Sequence, residues 1–101
     1  MSVMCIRLPA GEEIMGNIVY ESSSTVTIQS PAAVMLVPGQ DQSGRVNIGL
    51  MPWLPYSEQD QFEISRDKIL TMHTPNVELL NNYNRMFGSG IQLVTNSTII
   101  K

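Results

Sequence analysis

Few residues in this chain belong to the types that carry chemistry on their own. His73 and Cys5 are the single histidine and the single cysteine, so the sequence spells no metal-ligand cluster and no nucleophile with a recognisable base. Cys5 lies in an apolar run and reads as a small core residue more readily than as a reactive thiol. His73 falls just after an apolar segment, where a rim or capping role is usual. Glu12 and Glu13 project to opposite faces of an extended chain, which makes them a poor acid and base pair. Glu58, Asp60 and Glu63 have oxygen donors for a cation but read better as a solvated acidic loop. Gly88-Ser89-Gly90 can be drawn as a phosphate nest, yet no helix begins after it. With neither a Walker loop nor a dinucleotide fingerprint, the chain reads as a non-enzyme with no cofactor and no metal.

The composition narrows the class further. The 101 residues suit one domain with a modest core, which burial against copies of itself would enlarge. Apolar residues make up 43% and charged ones only 15%, and Ser, Thr, Asn and Gln supply 29 positions. Such a neutral polar surface can be covered by a partner with little loss of charge hydration. A net charge of −3 argues against coating nucleic acid by bulk electrostatics and leaves room only for a local basic rim. A lone cysteine forms no intrachain disulfide. With no apolar run of membrane-spanning length and no signal-peptide core, the expectation is a soluble protein of the cytoplasm, including that of an infected host cell.

The elements that must position any site begin at Val3. One side of the first segment carries Val3, Cys5 and Arg7 and the other Met4, Ile6 and Leu8, so both faces are largely apolar, as in a strand covered twice. Pro9 to Gly11 stop the ladder, and Gly11 suits a positive φ. Gly16, between Ile14 and Ile18, predicts a bend or bulge in the second strand. After a polar turn at Glu21 to Ser24, Val26 and Ile28 alternate with Thr25, Thr27 and Gln29, giving a half-buried strand. It runs on past Pro31 through Val37, and a proline there predicts a bulge or a change of partner. Pro38 to Gly44 is a loop by composition. Val46, Ile48 and Leu50 then form a long hairpin with strand three until Pro52-Trp53-Leu54-Pro55-Tyr56 interrupts or ends it. Phe62 and Ile64 re-enter the sheet and Ile69 to Met72 makes its last strand, with residues 45 to 65 readable as one broken strand or two.

A helix follows. Thr74 can cap it, Pro75 suits its first position and Glu78 its positive end. Val77, Leu80, Tyr83 and Phe87 form a stripe opposite Asn81, Asn82, Asn84 and Arg85, and Gly88 marks the end. Ile91, Leu93, Val94, Ile99 and Ile100 could add a strand to a neighbouring subunit or fray.

Two of these stretches carry a resemblance. Val3-x-Cys5-x-Arg7-Leu8-x-x-Gly11, four residues, Gly16-x-Ile18 resembles the first motif of the Sm and Sm-like (LSm) proteins, in which one glycine closes the first hairpin and a second bends strand two of a five-stranded barrel. Ile64 to Met72 is similar in length and apolar placement to the second motif, the short turn between strands four and five. Together they cover most of residues 3 to 73. The chain departs from the family where Asp and Asn are usual after strand two, offering Glu21 or Ser22 and then Thr25. In place of Arg-Gly between strands four and five stand Ser65, Arg66 and Asp67, so the uridine pocket built from those positions is altered. In overall flavour the chain is also similar to small Sm-like proteins of marine cyanophages.

The resemblance implies a mainly β fold, a small, strongly bent five-stranded antiparallel barrel with one C-terminal helix. It fills a single domain over 1–101, with the barrel at about 3–73, the helix at about 75–87 and a tail at 88–101. It further implies copies of the chain joined head to tail in a closed ring that binds single-stranded RNA, with a role in RNA binding or processing. Arg66 and Lys68 would meet phosphates, Ser22, Thr25 or Ser65 would hydrogen-bond bases, and Trp53 and Tyr56 would offer stacking surfaces elsewhere. Arg66 and Lys68 read equally well as an ordinary solvated turn, and the two aromatics as core or subunit contacts. A structural or assembly ring without nucleic acid, for example in a phage particle, is the competing reading, and the low charge and altered motif residues favour it.

Overall fold

A computed structural model describes residues 2–38 and 46–87. Six strands run β1 (Ser2–Arg7), β2 (Glu13–Glu21), β3 (Thr25–Pro38), β4 (Val46–Pro52), β5 (Gln61–Ser65) and β6 (Thr71–His73), with a 3-10 turn at Arg66–Lys68 before β6 and a helix, α1 (Val77–Phe87), after it. Every pairing is antiparallel, in the order β4-β3-β2-β1-β6 with β5 also on β3. The mainly β sheet with a C-terminal helix agrees with the expected fold class, but β6 does not meet β4 or β5, so the sheet is not closed. Residues 88–101 and 39–45, with the expected helix stop, tail strand and loop, lie outside the described residues. Among the described residues no helix is long and apolar enough to cross a membrane.

The bend originates at two places. Gly11 closes the first hairpin at φ +97, its N–H donating to the Leu8 carbonyl at 2.9 Å, a conformation that needs a residue without Cβ. Gly16 sits at a register shift between Met15 and Asn17 against β3. A Cβ there would stand 2.6 Å from Ile28 Cγ1 and 2.9 Å from the Gln29 carbonyl oxygen, so only glycine lets the two strands approach this closely.

Opposite Gly16, β3 changes partner, as its proline predicts. Thr25 to Gln29 pair with β5 and Ala32 to Pro38 with β4, which makes two strands of the stretch expected as one or two. Pro52 and Pro55 withhold the donors a continuous strand would need. The joint is Ser30, at φ 52, a left-handed conformation that costs a non-glycine residue about 1–3 kcal/mol and persists only where the surroundings enforce it. Its N–H donates to the Asp60 carbonyl at 2.9 Å and its hydroxyl to the Asp60 carboxylate at 2.9 and 3.1 Å. Its carbonyl accepts the Tyr83 hydroxyl at 2.8 Å, so α1 is latched to the joint.

Both faces of the sheet are covered, as the double apolar pattern of the first segment requires. Ile6, Leu8, Ile14, Ile18, Val26, Ile28 and Ile64 form one core, flanked by Trp53 and Phe62. On the other face Cys5, Met15 and Ala32 lie beneath Leu79 and Tyr83 of the helix. Two details of α1 differ from the sequence reading. Its cap is Asn76, whose Oδ1 accepts the Leu79 N–H at 2.8 Å, rather than Thr74, and Pro75 stands before the cap instead of in the first turn. Its buried stripe is Leu79 and Tyr83, whereas Val77 is 73% exposed. Apolar residues wrap more than one side of this helix, and docking over Cys5 and Met15 selects the Leu79–Tyr83 pair, which share a face at i, i+4 spacing.

Candidate functional site

The β2–β3 turn and the turn after β5 meet at one end of the sheet. Ser22 shapes the first by accepting the N–H groups of Ser24 at 3.2 Å and Thr25 at 3.0 Å on its hydroxyl, a local side-chain bond that Ser supports well. Its hydroxyl also lies 3.1 Å from Thr25 Oγ1. Ser65 is the register partner of Thr25 across β3 and β5. Arg66 then ties the turns together. Its backbone N–H donates to the Ser24 carbonyl at 2.8 Å, its Nε to the Ser22 carbonyl at 2.6 Å and its Nη2 to Glu21 Oε1 at 2.8 Å.

Four of the five expected RNA-binding residues, Ser22, Thr25, Ser65 and Arg66, therefore share one cluster. The Ser22 and Thr25 hydroxyls engage each other, and the Arg66 guanidinium engages the Ser22 carbonyl and Glu21, the latter an ion pair that sequence reasoning missed. Lys68 closes the same 3-10 turn as Arg66, is exposed, and has no ion pair among the described residues. The two aromatics lie elsewhere. Trp53 is half-buried, meets Phe62 edge-on at 5.8 Å between ring centroids and donates its indole N–H to Glu12 at 3.1 Å, near the opposite end of β2. Tyr56 is 82% exposed. Of the expected acidic loop, Glu58 is exposed and Asp60 holds Ser30 in place, whereas Glu63 is an exposed residue of β5, paired with Thr27, because the chain has already re-entered the sheet at Gln61.

A second cluster, absent from the sequence reading, lies on the helix-covered face. Cys5, Glu13 and His73 hold their donor atoms within 4.8 Å of one another. His73 is the last residue of β6, not a residue beyond the sheet, and it pairs with Cys5. Its Nε2 is 2.6 Å from Glu13 Oε2, and Arg7 Nη2 holds the other carboxylate oxygen at 3.3 Å. Burial, reinforced by the Glu13 charge, pushes the pKa of the Cys5 thiol up to about 11, which favours the protonated thiol at neutral pH.

With this geometry in place, the comparison with known families is direct. The family described as the Sm_like domain matches residues 5–84, and the chain belongs to the Sm-like family. No curated protein matches the sequence.

Proposed function

We propose that this Sm-like chain assembles with copies of itself into a closed ring in the cytoplasm, and that the ring binds single-stranded RNA without catalysing a reaction on it. Free strand edges support assembly. Within the described residues β6 pairs only with β1, and β4 and β5 pair only with β3, so the two ends of the strand order expose complementary backbone groups. Head-to-tail pairing of such edges satisfies them and closes into a cycle when the rotation per contact allows.

The observation that carries the RNA reading is the convergence of the β2–β3 turn and the Arg66–Lys68 turn on one end of the sheet, with Lys68 exposed at its margin and in no ion pair among the described residues. Repeated around a ring, this places one ammonium and a set of hydroxyls per subunit along a common rim, where phosphates and unstacked bases can be met. Filter binding of oligouridine at two salt concentrations tests it. Binding should weaken with salt, and Lys68→Ala should weaken it further and lower the slope of log K against log salt by about 0.7 for each phosphate no longer neutralised, with ring size unchanged by native mass spectrometry. Absence of salt-dependent binding removes the RNA reading.

The competing reading, a structural or assembly ring with no nucleic acid, draws on a different observation. Arg66, the other cation of the rim, is engaged by Glu21 and the Ser22 carbonyl, and the chain carries a net charge of −3. A ring in native mass spectra with no oligouridine affinity at low salt would select it.

A further inference from the structure

We propose that Cys5, Glu13 and His73 form a binding site for a divalent transition metal, zinc above all, with a fourth position left to water. The site is a product of strand register. Cys5 is the direct partner of His73 on one side and of Met15 on the other. Glu13 lies two residues from Met15, and side chains alternate with a period of two, so all three donors point to the same face. A thiolate, an imidazole and a carboxylate make a donor set of the kind that zinc takes, and three protein ligands leave one position open.

The surroundings orient each donor. His73 Nδ1 faces the Thr74 carbonyl at 3.3 Å, the backbone contact that commonly leaves Nε2 as the ligating nitrogen. Arg7 engages Glu13 Oε1 at 3.3 Å and the Gly11 carbonyl at 2.9 Å, which keeps Oε2 turned to the imidazole. Tetrahedral zinc with bonds of about 2.0–2.3 Å separates its ligand atoms by roughly 3.5 Å. The three donors lie within 4.8 Å of one another, so the 2.6 Å contact of His73 with Glu13 must open and any wider pair must close by about 1 Å or a little more. The side chain of His73 is 49% exposed, so the small shift this needs meets solvent on one side. On binding, the Cys5 thiol and any proton on Nε2 lose their hydrogens to solvent, and the metal takes their place. A cavity of about 490 Å³, lined by Glu13, His73, Leu36, Ile48, Pro75 and Leu79 among others, reaches two of the three donors, while Cys5 is fully buried behind them. The metal would join β1, β2 and β6, and so fasten a short strand that, among the described residues, three residue pairs hold to the sheet.

The test is titration of the purified full-length, metal-free chain with zinc, and with cobalt as a spectroscopic probe. One equivalent per chain is expected, with the visible band of tetrahedral cobalt and a near-ultraviolet thiolate-to-cobalt transition. Zinc at a hundredfold its Kd should raise Tm by about 10–20 °C. Cys5→Ala should abolish the thiolate transition, and His73→Gln, a change on the surface side of the site, should abolish stoichiometric binding while leaving the far-ultraviolet circular dichroism intact. No binding to the parent chain, or binding unchanged in both variants, overturns the proposal.

Discussion

Replacing Gly16 with Ala would put a methyl group into the tightest contact between β2 and β3. The added carbon would lie 2.6 Å from Ile28 Cγ1, 2.8 Å from Ile28 Cδ1 and 2.9 Å from the Gln29 carbonyl oxygen, where carbon–carbon contacts normally settle at about 3.5–4.0 Å. Ile28 is fully buried and has no solvent side to swing toward. Gln29 is paired with Asn17 and Gln61 across two ladders, so its carbonyl can retreat only if the strand moves. Overpacking of this kind costs about 1–3 kcal/mol, offset by up to about 1 kcal/mol from the lost freedom of glycine in the unfolded chain. The net expectation is a destabilisation of about 1–2 kcal/mol, or a fall in Tm of roughly 4–16 °C. Urea unfolding followed by circular dichroism, at matched protein concentration because assembly shifts apparent stability, reads it directly. In an Ile28→Ala background the same substitution should cost well under half as much, since the two side-chain clashes disappear. Equal stability of Gly16→Ala and the parent chain, or the same loss in both backgrounds, would refute the account of the bend.

Two further outcomes follow from α1. Tyr83→Phe removes the donor to the Ser30 carbonyl and should cost about 1 kcal/mol in the same unfolding assay, because a half-buried acceptor at a strained joint loses its partner. Burial, then the charge of Asp60, against an opposing backbone hydrogen bond at Asn17, pushes the Tyr83 phenol from 10.0 up to about 12. The neutral phenol is thus favoured in the folded chain. Its contribution, on the order of 2 kcal/mol, is whole below pH 10 and is lost as the pH rises toward 12, and Tyr83→Phe should flatten that alkaline part of the stability profile. Asn76→Ala removes the cap on the Leu79 N–H and should lower stability by about 1 kcal/mol, whereas Thr74→Ala should change it by much less.

The legible part of the fold was the part written in local chemistry. The positive φ of Gly11, the bulge at Gly16, the partner change beside Pro31 and the double apolar face of β1 each follow from what a proline, a glycine or an alternating strand can do in its own neighbourhood. From residue types and spacing the candidate RNA-binding residues read as two separate turns, and the family resemblance alone brings those turns to one pore. That Arg66 closes on Ser22 and Glu21 depends on how far β3 curls, and curl is a sum of small rotations along a strand that no single residue states. The helix shows the same division. Its existence and extent can be read from periodicity, but apolar residues on more than one side left its buried stripe to be chosen by the surface it meets.

From its residues alone this chain is mainly β and low in charge, and local backbone preference and side-chain period suffice for that much. Its Sm-like kinship rests instead on two motif stretches and on the family match over residues 5–84. Tertiary structure alone decided that Glu13 and His73, sixty positions apart, flank Cys5, and that among the described residues β4, β5 and β6 each keep one edge without a partner. Contacts between distant segments depend on strand register, and register is set by the packing of two cores at once.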